Sequence, residues 1–304
     1  MTLNPALDYI MNTDGLRFDD INRSCGETLR LGGKGINVSV ILKCLGVQSR
    51  ALGFAAGFTG RELLKLLREE GIDCDFVTLE NGNTRINVKI RGSTPLEINA
   101  RGPAVEESDI RALEEKLDGC EAGDFLVLAG AVPESLPADC FERMIARCGK
   151  GIQLAVDTSG ELLLSMLKHR PFLIKPNHHE LGDCFNVKAD TDEAVVYYAK
   201  QLQKLGARNV LVSRAEKGAI LLIENGEDLK TGNAKGKAIN RVGCGDSMLA
   251  GFLAGYLQRG SYKDALILGT ACGNATAYAD GLARREEIDR LTKEVSALLE
   301  IREL

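Results

Sequence analysis

Asp124-Phe125-Leu126-Val127-Leu128-Ala129 is a short apolar run with a charged start, and it does not alternate between polar and apolar residues. Such a run fits a strand buried on both faces, as in a parallel sheet covered by helices. Downstream, a helix is predicted near 137–148, a strand over 152–156, and a short strand at 172–174 that ends at Lys175-Pro176. A long helix over 190–205 and a strand over 209–213 follow. Upstream, 51–54 reads as a strand and 61–70 as a helix closed by Gly71. Three helices, over 245–258, 261–279 and 285–299, end the chain. Strand–helix alternation of this kind predicts an α/β fold with helices on both faces of a mainly parallel sheet.

Two regions break the alternation. Residues 8–31 show no convincing helix. Thr84-Arg85-Ile86-Asn87-Val88-Lys89-Ile90 alternates apolar with polar and is followed by Arg91-Gly92-Ser93 and the strand-like Leu96-Glu97-Ile98. That pattern reads as a hairpin with one solvated or ligand-facing side. Together, about 9–31 and 84–99 are expected to form a small β lid on a single domain spanning 1–304, since no repeat or low-complexity linker marks a second one.

Composition narrows the function classes. The formal net charge is −5, so an anionic substrate needs a local basic cluster and nucleic-acid binding is not expected. The nine cysteines include no Cys-x-x-Cys pair, which argues against a disulfide framework or a zinc site and for reduced, mostly buried thiols. The opening Met1-Thr2-Leu3-Asn4-Pro5 has no leader character and no apolar run approaches a membrane span. The cytoplasm is therefore the expected compartment.

Two glycine-rich helix starts carry the chemistry. Val242-Gly243-Cys244-Gly245-Asp246-Ser247 runs straight into an amphipathic helix. Glycines let a ligand approach the backbone, and the free amides and dipole of a first turn favour an anion. A carboxylate held there is placed to take a proton from an attacking hydroxyl, although an aspartate at a helix start also serves as a plain cap. Leu31-Gly32-Gly33-Lys34-Gly35-Ile36-Asn37-Val38 opens a second helix and is not a Walker loop, because Thr28 stands at the first glycine position and Gly35 follows the lysine. Lys34 adds positive charge, and Asn37 can donate and accept; an ordinary strand–helix turn with an exposed lysine is the alternative.

Taken in order, these blocks resemble the PfkB, or ribokinase-like, carbohydrate kinases over nearly the whole chain. The resemblance includes Asn4-Pro5-Ala6-Leu7-Asp8, Thr84-Arg85-Ile86-Asn87, Asp157-Thr158-Ser159-Gly160 and Lys175-Pro176-Asn177-His178-His179-Glu180. It is strongest with the 1-phosphofructokinase and tagatose-6-phosphate kinase branch, and Thr-Arg-Ile-Asn-Val-Lys leans to the former. It implies a three-layer α/β/α sandwich, ATP and Mg²⁺, and a sugar phosphate as acceptor. Asp246 would be the general base, with the amides of Gly243, Cys244 and Gly245 stabilising charge on the transferring phosphoryl group. Asp8, Gly33, Asn37 and Asn87 would bind the sugar, and Arg23, Lys34 and Arg85 its phosphate. Lys175, Asn177, Ser213, Gly218 and Gly245 would bind the nucleotide, with Asn177 and Glu180 holding Mg²⁺ through water. The lid is expected to pair with that of a second copy, giving a homodimer.

The sequence departs from the family pattern at several places. Ser213-Arg214-Ala215 replaces Ser-Leu-Gly, which leaves the geometry of that turn open and Arg214 either on phosphate or in solvent. Ala131 stands where a serine is usual, Cys244 where an alanine is usual, and the first strand has few residues before Asn4. The leading expectation is phosphorylation of fructose 1-phosphate at O6. Tagatose-6-phosphate kinase and 6-phosphofructokinase are the alternatives within the family. A noncatalytic sugar-phosphate sensor is the alternative from another class, and it would have no use for Asp246 together with Asn177 and Glu180.

Overall fold

The computed structural model describes residues 1–17 and 19–302. The chain forms two compact units. The first takes in Met1–Ile36, Arg50–Gly119 and Val132–Arg147, and the second Asn37–Ser49, Cys120–Ala131 and the chain from Cys148 onward.

The second unit is built on a seven-stranded sheet. Phe125–Ala129, Gln153–Asp157, Leu173–Ile174 and Asn209–Ser213 pair in parallel, as the intervening helices require. Ala219–Leu222, Asp228–Thr231 and Leu299–Arg302 then continue the sheet antiparallel. Only the short 3-10 turn Ala215–Lys217 interrupts the strands from Asn209 to Thr231, so that part meanders back on itself. The last strand corrects the expected helix over 285–299: the helix ends at Ser296, and Leu299 pairs with Thr231.

Both faces of this sheet are covered. Leu211 on a middle strand joins a core with Leu249, Phe252 and Ala271 of the helices Cys244–Arg259 and Tyr262–Tyr278. Its neighbours Val210 and Val212 point to the opposite face, where the helix Asp192–Leu205 packs with Val195, Ala199 and Leu202 buried. That helix starts where the Thr191 hydroxyl accepts the Ala194 N–H at 3.2 Å. The helices Cys244–Arg259 and Tyr262–Tyr278 are buried almost all round and touch through small residues. A Cβ on Gly251 would lie 2.6 Å from Cys272 Sγ, and one on Gly269 only 2.8 Å from Met248 O. This contact admits no larger side chain, which fixes the helix that begins at Cys244.

The first unit holds the predicted small sheet, with strand order Gly26–Gly32, Ala6–Asn12, Arg85–Arg91, Leu96–Asn99. Its outer pairings are antiparallel and the central one is parallel. The expected strand over 51–54 is two short ones, Arg50–Ala51 and Phe54–Ala56, each paired in parallel with a later strand. The helix after it starts earlier than predicted, at Gly57.

All nine cysteines are free, but only Cys140, Cys148 and Cys272 are buried, fewer than expected. No group of three or more metal-ligating side chains occurs among the described residues. No helix among them is long and apolar enough to cross a membrane.

Candidate active site

The carboxyl ends of the parallel strands in the second unit gather one group of predicted residues, where open α/β sheets bind ligands. Gly243 caps the helix Cys244–Arg259 in a left-handed conformation, with φ 79°. The first helical bond runs from the Ser247 N–H to Gly243 O at 2.8 Å, so the amides of Cys244, Gly245 and Asp246 come before any intrahelical acceptor. Asp246 is buried, and its Oδ2 accepts from Asn37 Nδ2 at 2.7 Å. Asn37 thus orients the predicted base as well as being a candidate sugar ligand. The buried Lys175 ammonium approaches the same turn, 3.0 Å from where a Cβ on Gly245 would sit, and pairs with Asp157 at 3.3 Å. Cys244 is no rival to Asp246: burial, then the nearby carboxylate, pushes its thiol up to about 11, so it stays protonated at neutral pH.

Beside this turn, Asn177 and Ser213 form a parallel bridge, and the Ser213 N–H donates to Pro176 O at 3.2 Å. Asn177 Oδ1 accepts the His179 and Glu180 N–H groups, each at 2.9 Å, while Glu180 Oε2 accepts the Asn177 N–H at 2.8 Å. The pair is a reciprocal helix cap. The His178 and His179 rings lie with centroids 3.9 Å apart and planes tilted by 38°. Burial, with the second imidazole, holds His178 below the usual histidine value.

Arg214 does not lie in solvent. Its side chain is buried, bonded to the Asp192 carboxylate and, at 3.2 Å, to Asp190 O. The lost glycine is answered by strain: Ala215 keeps a left-handed φ of 48°, which disfavours any residue with a Cβ. Gly218, with φ 81°, closes the turn. Ala215→Gly is therefore expected to stabilise the protein by about 0.5–1 kcal/mol. Urea unfolding checks this, and an unchanged midpoint would show that the turn carries no strain.

The first unit gathers Asp8, Arg85 and Asn87 on one face of its small sheet. The register sets Ala6 beside Arg85, Asp8 beside Asn87 and Ile10 beside Lys89. Asp8 Oδ1 accepts from Asn87 Nδ2 at 2.8 Å, and Asn87 Oδ1 accepts from Arg85 Nη1 at 3.1 Å. Arg85 also donates from Nε to Asn4 O at 3.1 Å. Burial lowers its guanidinium pKa and Asp8 opposes the shift. Gly33 precedes the helix Lys34–Cys44 with φ 117°, and Lys34, half-buried, is that helix's first residue. Arg23 lies exposed in the loop between the first two strands.

Residues 2–287 match the family model described as pfkB family carbohydrate kinase. The chain belongs to the PfkB family of carbohydrate kinases. Among PfkB relatives it is 42% identical to the 1-phosphofructokinase of Bacillus subtilis over 97% of both chains. It is 37% identical to the D-tagatose-1-phosphate kinase of Bacillus licheniformis, also over 97% of both. A crystal structure of phosphofructokinase-2 from Escherichia coli, in complex with substrates and products, superposes with a TM-score of 0.91 at 27% identity, covering 97% of this chain and 98% of that one.

For a PfkB kinase, one positioning residue escaped the sequence reading. Asn240 Nδ2 lies within 3.0–3.3 Å of Val242 O, Thr276 O and Gly281 O, and its Oδ1 accepts the Val242 N–H at 3.0 Å. It ties the stretch before Gly243 to the end of the helix Tyr262–Tyr278. The available signal was an asparagine two residues before a backbone N–H that it can cap.

Proposed function

We propose that this PfkB kinase transfers the γ-phosphoryl group of ATP to O6 of fructose 1-phosphate, giving fructose 1,6-bisphosphate and ADP. The observation that carries the reading is Asp246, buried in the first turn of a helix, held by Asn37 and flanked by free-amide geometry and Lys175. Asp246 takes the proton from O6 as its oxygen bonds to phosphorus. The bond to the bridging oxygen of ADP breaks, and the amides of Gly243, Cys244 and Gly245 with Lys175 stabilise the charge in flight. Asp8, Asn37 and Asn87 orient the sugar hydroxyls, and Arg85, Lys34 and Arg23 engage its 1-phosphate.

Mg²⁺ fits the Asn177–Glu180 pair only in hydrated form. Both oxygens of the cap already accept backbone hydrogens, which leaves the second Glu180 oxygen to meet a metal-bound water. When bound, the ion offsets charge on the phosphates.

The acceptor is tested by kcat/KM for fructose 1-phosphate, D-tagatose 1-phosphate, tagatose 6-phosphate and fructose 6-phosphate under Mg-ATP. Fructose 1-phosphate is expected to lead. A D-tagatose 1-phosphate value above it would move the assignment to the activity for which the second relative is named. No turnover of any would favour the sensor.

The second copy is assigned to the other face of the small sheet. Register aligns Leu29, Tyr9, Val88 and Ile98 across all four strands, with Met11, Ile90 and Leu96 in the adjoining row. Ile98 is 55% exposed, and Leu29 and Leu96 39% each. A small sheet with an open apolar face is stabilised by pairing with another. Light scattering is expected to show a dimer that Ile98→Asp converts to monomer; a wild-type monomer at micromolar concentration would contradict this. The free thiols accord with a cytoplasmic setting.

A further inference from the structure

Lys89 belongs to none of the roles above, yet its ammonium meets the other oxygen of the sugar-binding carboxylate, Asp8 Oδ2, at 2.5 Å. The two side chains are 12% and 11% exposed, so solvent screens the pair little. Asp8 is committed from both sides, with Asn87 on Oδ1 and Lys89 on Oδ2. It is also pressed against its neighbouring strand. A Cβ on Gly32 would sit 2.7 Å from Asp8 Oδ1, so this position accepts the carboxylate only because it is glycine.

A carboxylate poses a problem in a site for a sugar phosphate. It is a good acceptor for hydroxyls, but it repels the anionic end of the same molecule. We infer that Lys89 is a positioning and specificity-determining residue: it cancels the charge of Asp8 while leaving its remaining lone pairs to the sugar, and so makes the site selective for phosphorylated over neutral ketohexoses. This rests on the proposed sugar-phosphate kinase function.

The charges on this face support the assignment. Around the carboxylate, Arg85 and Lys89 bring two positive charges and Asp8 one negative, a local balance of +1; Arg91, at the far end of the same face, is unchanged in every variant. Arg30, across from Asp8, and Glu97, across from Lys89, cancel each other and stay constant in every variant. Removing Lys89 lowers the balance to zero and leaves the carboxylate facing the ligand without its counter-charge. Removing the charges of both Lys89 and Asp8 restores +1. A lysine that simply ligated phosphate would behave differently, because its loss would not be repaired by neutralising Asp8.

The test is a four-protein cycle, wild type, Lys89→Met, Asp8→Asn and the double variant, with binding measured by calorimetry in the absence of nucleotide. Lys89→Met is expected to weaken fructose 1-phosphate about 30-fold or more, as truncation of one partner in a buried ion pair does. Neutral fructose is expected to change less than about threefold, and Lys89→Arg to stay within about fivefold of wild type. The double variant is expected to bind fructose 1-phosphate more tightly than Lys89→Met alone. A double variant as weak as Lys89→Met, or weaker, overturns the inference, as does Lys89→Met binding within about threefold of wild type or an equal loss for fructose and its phosphate. If the wild type does not bind fructose 1-phosphate, the proposed function falls instead. The same cycle is then read by ³¹P titration with inorganic phosphate, where only recovery in the double variant sustains the charge balance.

Discussion

Asp246→Asn is expected to lower kcat by about 10²–10⁴-fold, the range for loss of a general base, while the dissociation constant for fructose 1-phosphate changes less than about threefold. The prediction follows from where the carboxylate sits. Asp246 lies in the first turn of the helix Cys244–Arg259, and its fixed bond is the one from Asn37 at 2.7 Å. Asparagine keeps the size and can still accept from Asn37, so the fold is preserved and only the basic oxygen is lost. Alanine is less clean, because it leaves the buried Asn37 amide without this acceptor, at a cost of about 1–3 kcal/mol in stability. The neighbouring thiol does not take over, since the pKa of Cys244 is about 11. Near-normal kcat in Asp246→Asn would remove this residue from the chemistry.

Gly243→Ala is the second large effect expected, a fall in kcat of about 10–100-fold, since a misplacement of about 1 Å near the reacting atoms is costly. Gly243 holds φ 79°, and an added Cβ would lie 2.8 Å from Leu282 Cδ2 and 3.5 Å from Asn37 Nδ2. The substitution strains the backbone and displaces the turn that aims the amides and Asp246. Stability should drop only by about 1–2 kcal/mol. Steady-state kinetics and thermal melting on one preparation separate the two, and an alanine variant with wild-type kcat would show that the turn is not rigidly required.

The four parallel strands from Phe125 to Ser213 and the helices Cys140–Arg147 and Asp192–Leu205 were legible because their burial is dictated by local sequence: unbroken apolar runs for strands covered on both faces, and a 3.6-residue period for helices; the short helix Gly160–Met166 was not. The small sheet was legible from the alternation over 84–90. What was missed depends on distant partners. Leu299-Glu300-Ile301-Arg302 alternates as a strand does, but it follows a helix without a breaker, and its partner at Asp228–Thr231 is some 70 residues away. The partner of Arg214, Asp192, lies on a helix that packs beneath the turn, and no local pattern announces it. Asp246 was singled out by its glycine-rich helix start, and Asn177 and Arg85 by the resemblance to PfkB kinases. The role of Asn240 rests on bonds to Val242, Thr276 and Gly281 that only the folded chain displays; Lys89 was legible as a basic position on the alternating strand, but its pairing with Asp8 was not.

The ³¹P NMR spectrum of fructose 1-phosphate, Mg-ATP and the wild-type protein bears most directly on the central reading. The sugar 1-phosphate signal is predicted to persist while a second sugar phosphate signal, on C6, grows in step with ADP. ADP formation without a new C6 phosphate, or an unchanged mixture at millimolar substrate, would contradict it.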